Sequence, residues 1–132
     1  MIGLDTNVLV RYLVQDDPEQ SSLASEFIES NCSEENTGFV CHIVLCELSW
    51  VLESNYGQSK EAIASVIEQL LQISQLQIME PEAVWRALSD FKTSNADFSN
   101  HLIARANVVN GCKSTVTFDN KAGKQVCFQF LK

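Results

Sequence analysis

Short apolar runs that break at a polar turn and give way to helical stretches most limit how this 132-residue chain can fold. Met1-Ile2-Gly3-Leu4 runs into Asp5-Thr6-Asn7, and Val8–Val14 follows as a short helix that Thr6 or Asn7 is placed to cap. Asp16-Asp17-Pro18 opens a second helix to about Ser30, with the proline near its first position. Phe39-Val40-Cys41 predicts a second strand, followed by helices over about Val44–Asn55 and Ser59–Gln72. Leu76–Met79 predicts a third strand. Pro81 starts a helix to about Lys92, and another spans about Phe98–Asn110, closed by Gly111. Ser114–Phe118 is a β-branched fourth strand, and Gln125–Phe130 reads as an edge strand or tail. Trp50 and Trp85 are expected as core anchors. Strands that alternate with helices imply an α/β class with a mostly parallel sheet. No repeat, low-complexity tract or linker interrupts residues 1–132, so one domain is expected.

A chain of this length buries roughly two-thirds of its unfolded surface and carries a core without staples. No apolar run approaches the roughly 20 residues of a membrane helix, and the N-terminus lacks the basic start of a signal peptide. A soluble, cytoplasmic protein with no membrane partner is expected. The five cysteines form no C-x-x-C pair and are expected to be reduced and mostly buried. Cys41, His42 and Cys46 lack a second ligand pair, which argues against zinc. The net charge of −8 is unevenly spread: residues 1–91 sum to −12 and residues 92–132 to +4. A basic C-terminal third can face phosphate while the acidic part keeps the molecule soluble or meets a basic partner.

Two acids stand directly after strands. In an open parallel sheet the carboxyl ends of the strands line the ligand crevice, so Asp5 and Asp119 are expected at one edge. Glu47 interrupts an apolar helical stretch, Ile43 to Leu52, where a buried acid needs a compensating charge. A divalent cation held by oxygens is one compensation. The alternative is local: Asp5 caps a helix, Asp119 begins a turn and Glu47 is half exposed.

The opening Leu4-Asp5-Thr6-Asn7-Val8-Leu9, Glu47 in Cys46-Glu47-Leu48, the stretch Ala96–Ala106 and the terminal Thr117-Phe118-Asp119 together resemble a PIN domain. More narrowly, they resemble the VapC-type toxin ribonucleases of prokaryotic toxin–antitoxin modules, in order and over nearly the whole chain. The resemblance implies a three-layer α/β/α fold around a mostly parallel sheet. It implies acids that hold Mg²⁺ or Mn²⁺, an RNA substrate (often tRNA), a small cognate antitoxin and a homodimer. Asp5, Glu47 and Asp119 match three of the family's acidic positions, and Thr6 and Asn7 follow the first as orienting residues. The fourth position is Asn100, which can orient a water but holds a cation less strongly. Asp97, one turn earlier on the same helical face, is a possible substitute or a helix cap.

The implied chemistry is metal-assisted phosphodiester hydrolysis at Asp5, Glu47, Asn100 and Asp119, with Glu47 completing the cluster or acting as general base. Arg11, Arg105, Lys113 and Lys121 are candidates for substrate phosphate, Arg11 alternatively pairing with Asp16 or Asp17. His42 and His101 are expected to be structural. Asn100 marks a weakened natural enzyme, a partner- or RNA-binding domain that does not cut, or a substitution introduced so that a toxic protein can be produced. The intact remaining motifs favour the last. A haloacid-dehalogenase-like phosphatase would need an acid where Asn7 stands, and five glycines form no phosphate-binding loop.

Overall fold

The backbone alternates as the apolar runs require, but with very short strands. The computed structural model describes residues 1–132. Its strands are β1 (Ile2–Gly3), β2 (Gly38–Val40), β3 (Leu76–Ile78), β4 (Thr115–Thr117) and β5 (Phe128–Phe130). The helices are α1 (Thr6–Val14), α2 (Pro18–Asn31), α3 (His42–Ser54), α4 (Lys60–Gln72), α5 (Pro81–Lys92) and α6 (Phe98–Val109), with a 3-10 turn at Ala122–Lys124. The class is the expected three-layer α/β/α, with parallel strands throughout.

The sheet, however, is divided. β1, β2 and β3 pair in that order, β4 pairs only with β5, and no ladder joins the two groups. Asp5 and Asp119 therefore end strands of different sheets rather than sharing one edge. β4 turns Val116 to solvent and keeps Thr115 and Thr117 half-buried, so its residues supply little apolar surface to pack into the main core.

That core lies where α1, α3, α4, α5 and α6 meet the three-stranded sheet, around Leu9, Val40, Leu45, Leu48, Leu52, Ile67, Leu70, Leu88, Phe98 and Leu102. The helix starts follow local chemistry. Asp17 accepts Gln20 N–H at 3.0 Å with Pro18 inside the first turn, and Ser59 accepts Ala62 N–H at 3.1 Å. Asp5, not Thr6 or Asn7, occupies the cap position of α1.

The tryptophans correct the sequence-based expectation. Trp50 is 51% exposed and Trp85 39%, because α3 and α5 bury other faces: Val44, Leu45, Leu48 and Leu52, and Ala83, Val84, Ala87, Leu88 and Phe91. All five cysteines are free, yet only Cys32 is buried. Burial pushes the half-buried Cys46 thiol up to about 11, with Cys41 and Glu47 adding to the shift, so it stays neutral.

Gly38 begins β2 where a side chain has no room: an added Cβ would lie 2.8 Å from Leu4 Cδ1 and 3.1 Å from both Cys32 Sγ and Leu76 Cδ2. Gly38→Val is expected to lower stability by about 1–3 kcal/mol through overpacking, read as a lower urea midpoint at unchanged slope.

Candidate metal and nucleic-acid site

Because β1 is only two residues long, its end and the start of α1 are nearly the same place. Asp5 is exposed there and accepts Thr6 N–H on Oδ1 at 2.8 Å. Thr6 is buried and donates its hydroxyl to Glu47 Oε1 at 2.7 Å, a contact across 41 positions in sequence. Glu47 lies on the solvent side of α3 and is exposed, so it is not the buried acid that the apolar stretch suggested. No compensating charge is forced on it.

A second group forms around α6 and β4. Asp97, Asp119, Asn120, Lys121 and Ala96 line a cleft of about 290 Å³. Asp97 occupies the cap position of α6 but makes no side-chain capping bond. Asp119 begins a turn, accepting Ala122 N–H on Oδ1 at 2.8 Å. Asn100, half-buried on α6, makes no side-chain hydrogen bond within the chain.

The structure thus joins Asp5 to Glu47 through Thr6, and brings Asp97 beside Asp119. It does not gather Asp5, Glu47 and Asp119 into one cluster: no three acidic, histidine or cysteine side chains stand close enough to hold an ion. The division of the sheet is the reason, since Asp5 follows β1 and Asp119 follows β4 in separate sheets. The donor set itself suits a hard dication. Asp5, Glu47, Asp97 and Asp119 offer only oxygens, and none pairs with a cation of the chain. Mg²⁺ keeps several waters and needs only one or two carboxylates, which each pair supplies.

Of the cations expected at phosphate, the two arginines are committed elsewhere. Arg105 is held bidentately by Asp90 at 2.6 and 3.0 Å, and this pairing raises its pKa. Arg11 donates to Asp16 at 3.0 Å, to Gln20 at 2.8 Å and to the Tyr56 hydroxyl at 3.3 Å. Lys113 and Lys121 are exposed and unpaired, and Lys121 faces the Asp97–Asp119 cleft.

Sequence reasoning missed what secures the loop bearing Asp97. Lys60 Nζ donates to Ser94 O at 2.7 Å, and Ser94 Oγ accepts Ala96 N–H at 3.1 Å. The same hydroxyl is hydrogen-bonded to His101 Nε2 at 2.6 Å, while Nδ1 of this fully buried ring has no partner. The only sequence signal was a histidine three residues past Phe98. His42 is structural too, donating Nε2–H to Met79 O at 2.8 Å and so tying α3 to the turn before α5.

Fold and site together define an α/β/α protein that displays unpaired oxygen donors where parallel strands end. The PIN domain family model matches residues 2–124, and the chain belongs to that family. PIN domains are generally metal-dependent nucleases. No curated protein matches the chain.

Burial lowers the His101 pKa, since protonation would place a charge and an unpartnered N–H in the interior. The unfolded ring titrates near 6.5, so its contribution is fully present above about pH 6.5 and is lost as pH falls towards the depressed folded value. Wild type is expected to lose urea stability as pH falls below about 6.5. His101→Gln should show a smaller drop over the same interval.

Proposed function

We propose that this chain is a VapC-type endoribonuclease toxin that hydrolyses RNA phosphodiester bonds with Mg²⁺ or Mn²⁺ in the cytoplasm, its activity reduced by Asn100. The observation that carries this is the Thr6–Glu47 hydrogen bond. It holds an acid from α3 against the acid-bearing end of β1 and leaves that carboxylate open to solvent. Asp97 and Asp119 support it, because two carboxylates that line one cleft offer a hard cation oxygen ligands from two separate segments.

Asp5 with Glu47, and separately Asp119 with Asp97, would each be able to hold a cation. When bound, it supplies positive charge to the developing phosphorane oxygens and acidifies a bound water. Asp5 and Asp119 each use one oxygen on a backbone N–H, which fixes the carboxylate and leaves the other oxygen for a ligand. Glu47 Oε1 is fixed by Thr6, leaving Oε2 to orient or deprotonate an attacking water. Asn100 orients a water through its carbonyl but adds no charge. Lys121 and Lys113 meet substrate phosphate as point charges.

Two faces suit the proposed partners. A groove of about 620 Å³ between β1, α1 and α2 is lined by Leu4, Val8, Leu23, Ala24 and Phe27, with Asp5 among them. It suits an amphipathic antitoxin segment. An uncharged cleft of about 370 Å³ between α3 and α6, lined by Ile43, Cys46, Trp50, Ile103 and Ala106, suits a second copy. Two chains of net charge −8 approach most easily there. Trp50→Glu is expected to convert a dimer to monomer in sedimentation velocity, and an unchanged sedimentation coefficient would place the contact elsewhere.

The nuclease itself is tested on structured RNA. Asn100→Asp is expected to raise Mg²⁺-dependent cleavage by about tenfold or more, and EDTA to abolish it. Should Asn100→Asp cleave no RNA, and Mg²⁺ and Mn²⁺ binding be undetectable by calorimetry, the second reading stands: a PIN-like domain that binds RNA or protein without cutting. Asn100, uncharged and without a hydrogen bond, is the observation that favours that alternative.

A further inference from the structure

The most exposed large apolar side chain of this protein is Phe118, 77% accessible, directly before Asp119. Its position follows from strand periodicity. Thr115 and Thr117 turn inward, Thr115 Oγ1 accepting from Asn107 at 2.9 Å and Thr117 Oγ1 accepting Asp119 N–H at 3.0 Å. Val116 and Phe118 therefore share the outward face, and Val116 is 56% exposed. Nothing in the chain covers this pair, although an aromatic ring gains more from burial than almost any other side chain.

Charge decides what covers it. Lys113, Lys121, Lys124 and Lys132 stand in this C-terminal unit against one acid, Asp119, whereas residues 1–91 sum to −12. A second copy of the same basic unit would be repelled, and the uncharged face on α3 and α6 is better suited to self-association. A polyanion is attracted. An exposed aromatic ring among lysines is the pairing that binds single-stranded nucleic acid: lysines track the phosphates, and the ring stacks on a base whatever its identity.

We propose that Phe118 is a nucleobase-stacking platform that seats single-stranded RNA beside Asp119, with Val116 extending the apolar face and Lys121 and Lys113 meeting the flanking phosphates. This rests on the nuclease reading for the nature of the substrate. It adds that the base next to the scissile phosphate is unpaired and held by stacking, so paired RNA is excluded at that position. Phe118 is a binding and positioning residue and takes no part in proton transfer.

The test is fluorescence anisotropy of the full chain with a labelled single-stranded RNA oligonucleotide in Mg²⁺-free buffer, where cleavage does not interfere. Phe118→Ala is expected to weaken binding roughly 5- to 100-fold, and Phe118→Tyr to restore it. An oligonucleotide with one abasic site, scanned along its length, should lose the same factor with wild type at a single position. It should lose nothing further with Phe118→Ala, the non-additivity that marks a direct contact. Equal affinity of Phe118→Ala and wild type overturns the platform while leaving the nuclease reading intact. So does a penalty spread evenly over all abasic positions. A change in sedimentation coefficient with unchanged RNA affinity overturns it in favour of a protein partner. Failure of wild type to bind any RNA sinks the platform and the nuclease reading together.

Discussion

Strands of two or three residues leave almost no distance between a buried apolar run and the first polar group after it. In β1 this forces one turn to do three things. Leu4 is buried, Asp5 is exposed and begins α1, and Thr6 is buried again. A threonine can be buried only if its hydroxyl finds a partner, and the partner is Glu47. The helix carrying Glu47 keeps its apolar stripe in the core, so the carboxylate that satisfies Thr6 remains open to solvent on its other oxygen. One constraint of backbone length thus sets the position of Asp5, the burial of Thr6 and the orientation of Glu47.

The same economy governs the cations. Arg11 bridges α1, α2 and the Tyr56 hydroxyl, and Arg105 bridges α6 to α5 through Asp90. Both arginines hold helices together, a task suited to a planar group with several donors. The unpaired cations near Asp119 are lysines, which hold phosphate without fixing its orientation. On the proposed RNA-binding reading, orientation would have to come from somewhere else, and an exposed ring beside the acid is what the surface offers. Strong salt dependence accompanies such lysine-mediated contact.

Much of this order was legible in the sequence because each element announces itself locally. Pro18 and Ser59 mark helix starts, Gly57 and Gly111 mark ends, and both glycines adopt positive φ, +60° and +94°. Asp5 and Asp119 were legible as acids directly after strands, within a chain that the PIN family model matches over residues 2–124. What was not legible depends on tertiary choice. Residue type marks Trp50 and Trp85 as core anchors, but each helix buries a different face, and the tryptophans are left partly facing water. Strand order is equally silent in sequence: β4 reads as a parallel strand whether it joins β1 or, as here, β5 alone. The burial of Glu47 failed for a related reason, since one polar residue among apolar ones marks the solvent side of a helix as readily as a compensated charge.

Asp97 shows how the surroundings set a side chain against its local preference. An aspartate at a helix start normally accepts a backbone N–H one or two residues into the first turn, stabilising the helix by about 0.5–2 kcal/mol. Asp97 makes no such bond. The loop before it is already fixed: Ser94 Oγ takes the Ala96 N–H, Ser94 O takes the Lys60 ammonium, and His101 closes the network from inside α6. With the backbone held at Ala96, the Asp97 carboxylate is directed to the cleft it shares with Asp119. The cap interaction is given up for a position in a cleft that Asp119 and Lys121 also line. On the proposed metal-dependent reading, Asp97 and Asp119 would hold the cation in that cleft from two segments, and the Asp97 carboxylate would make up part of the charge that Asn100 lacks.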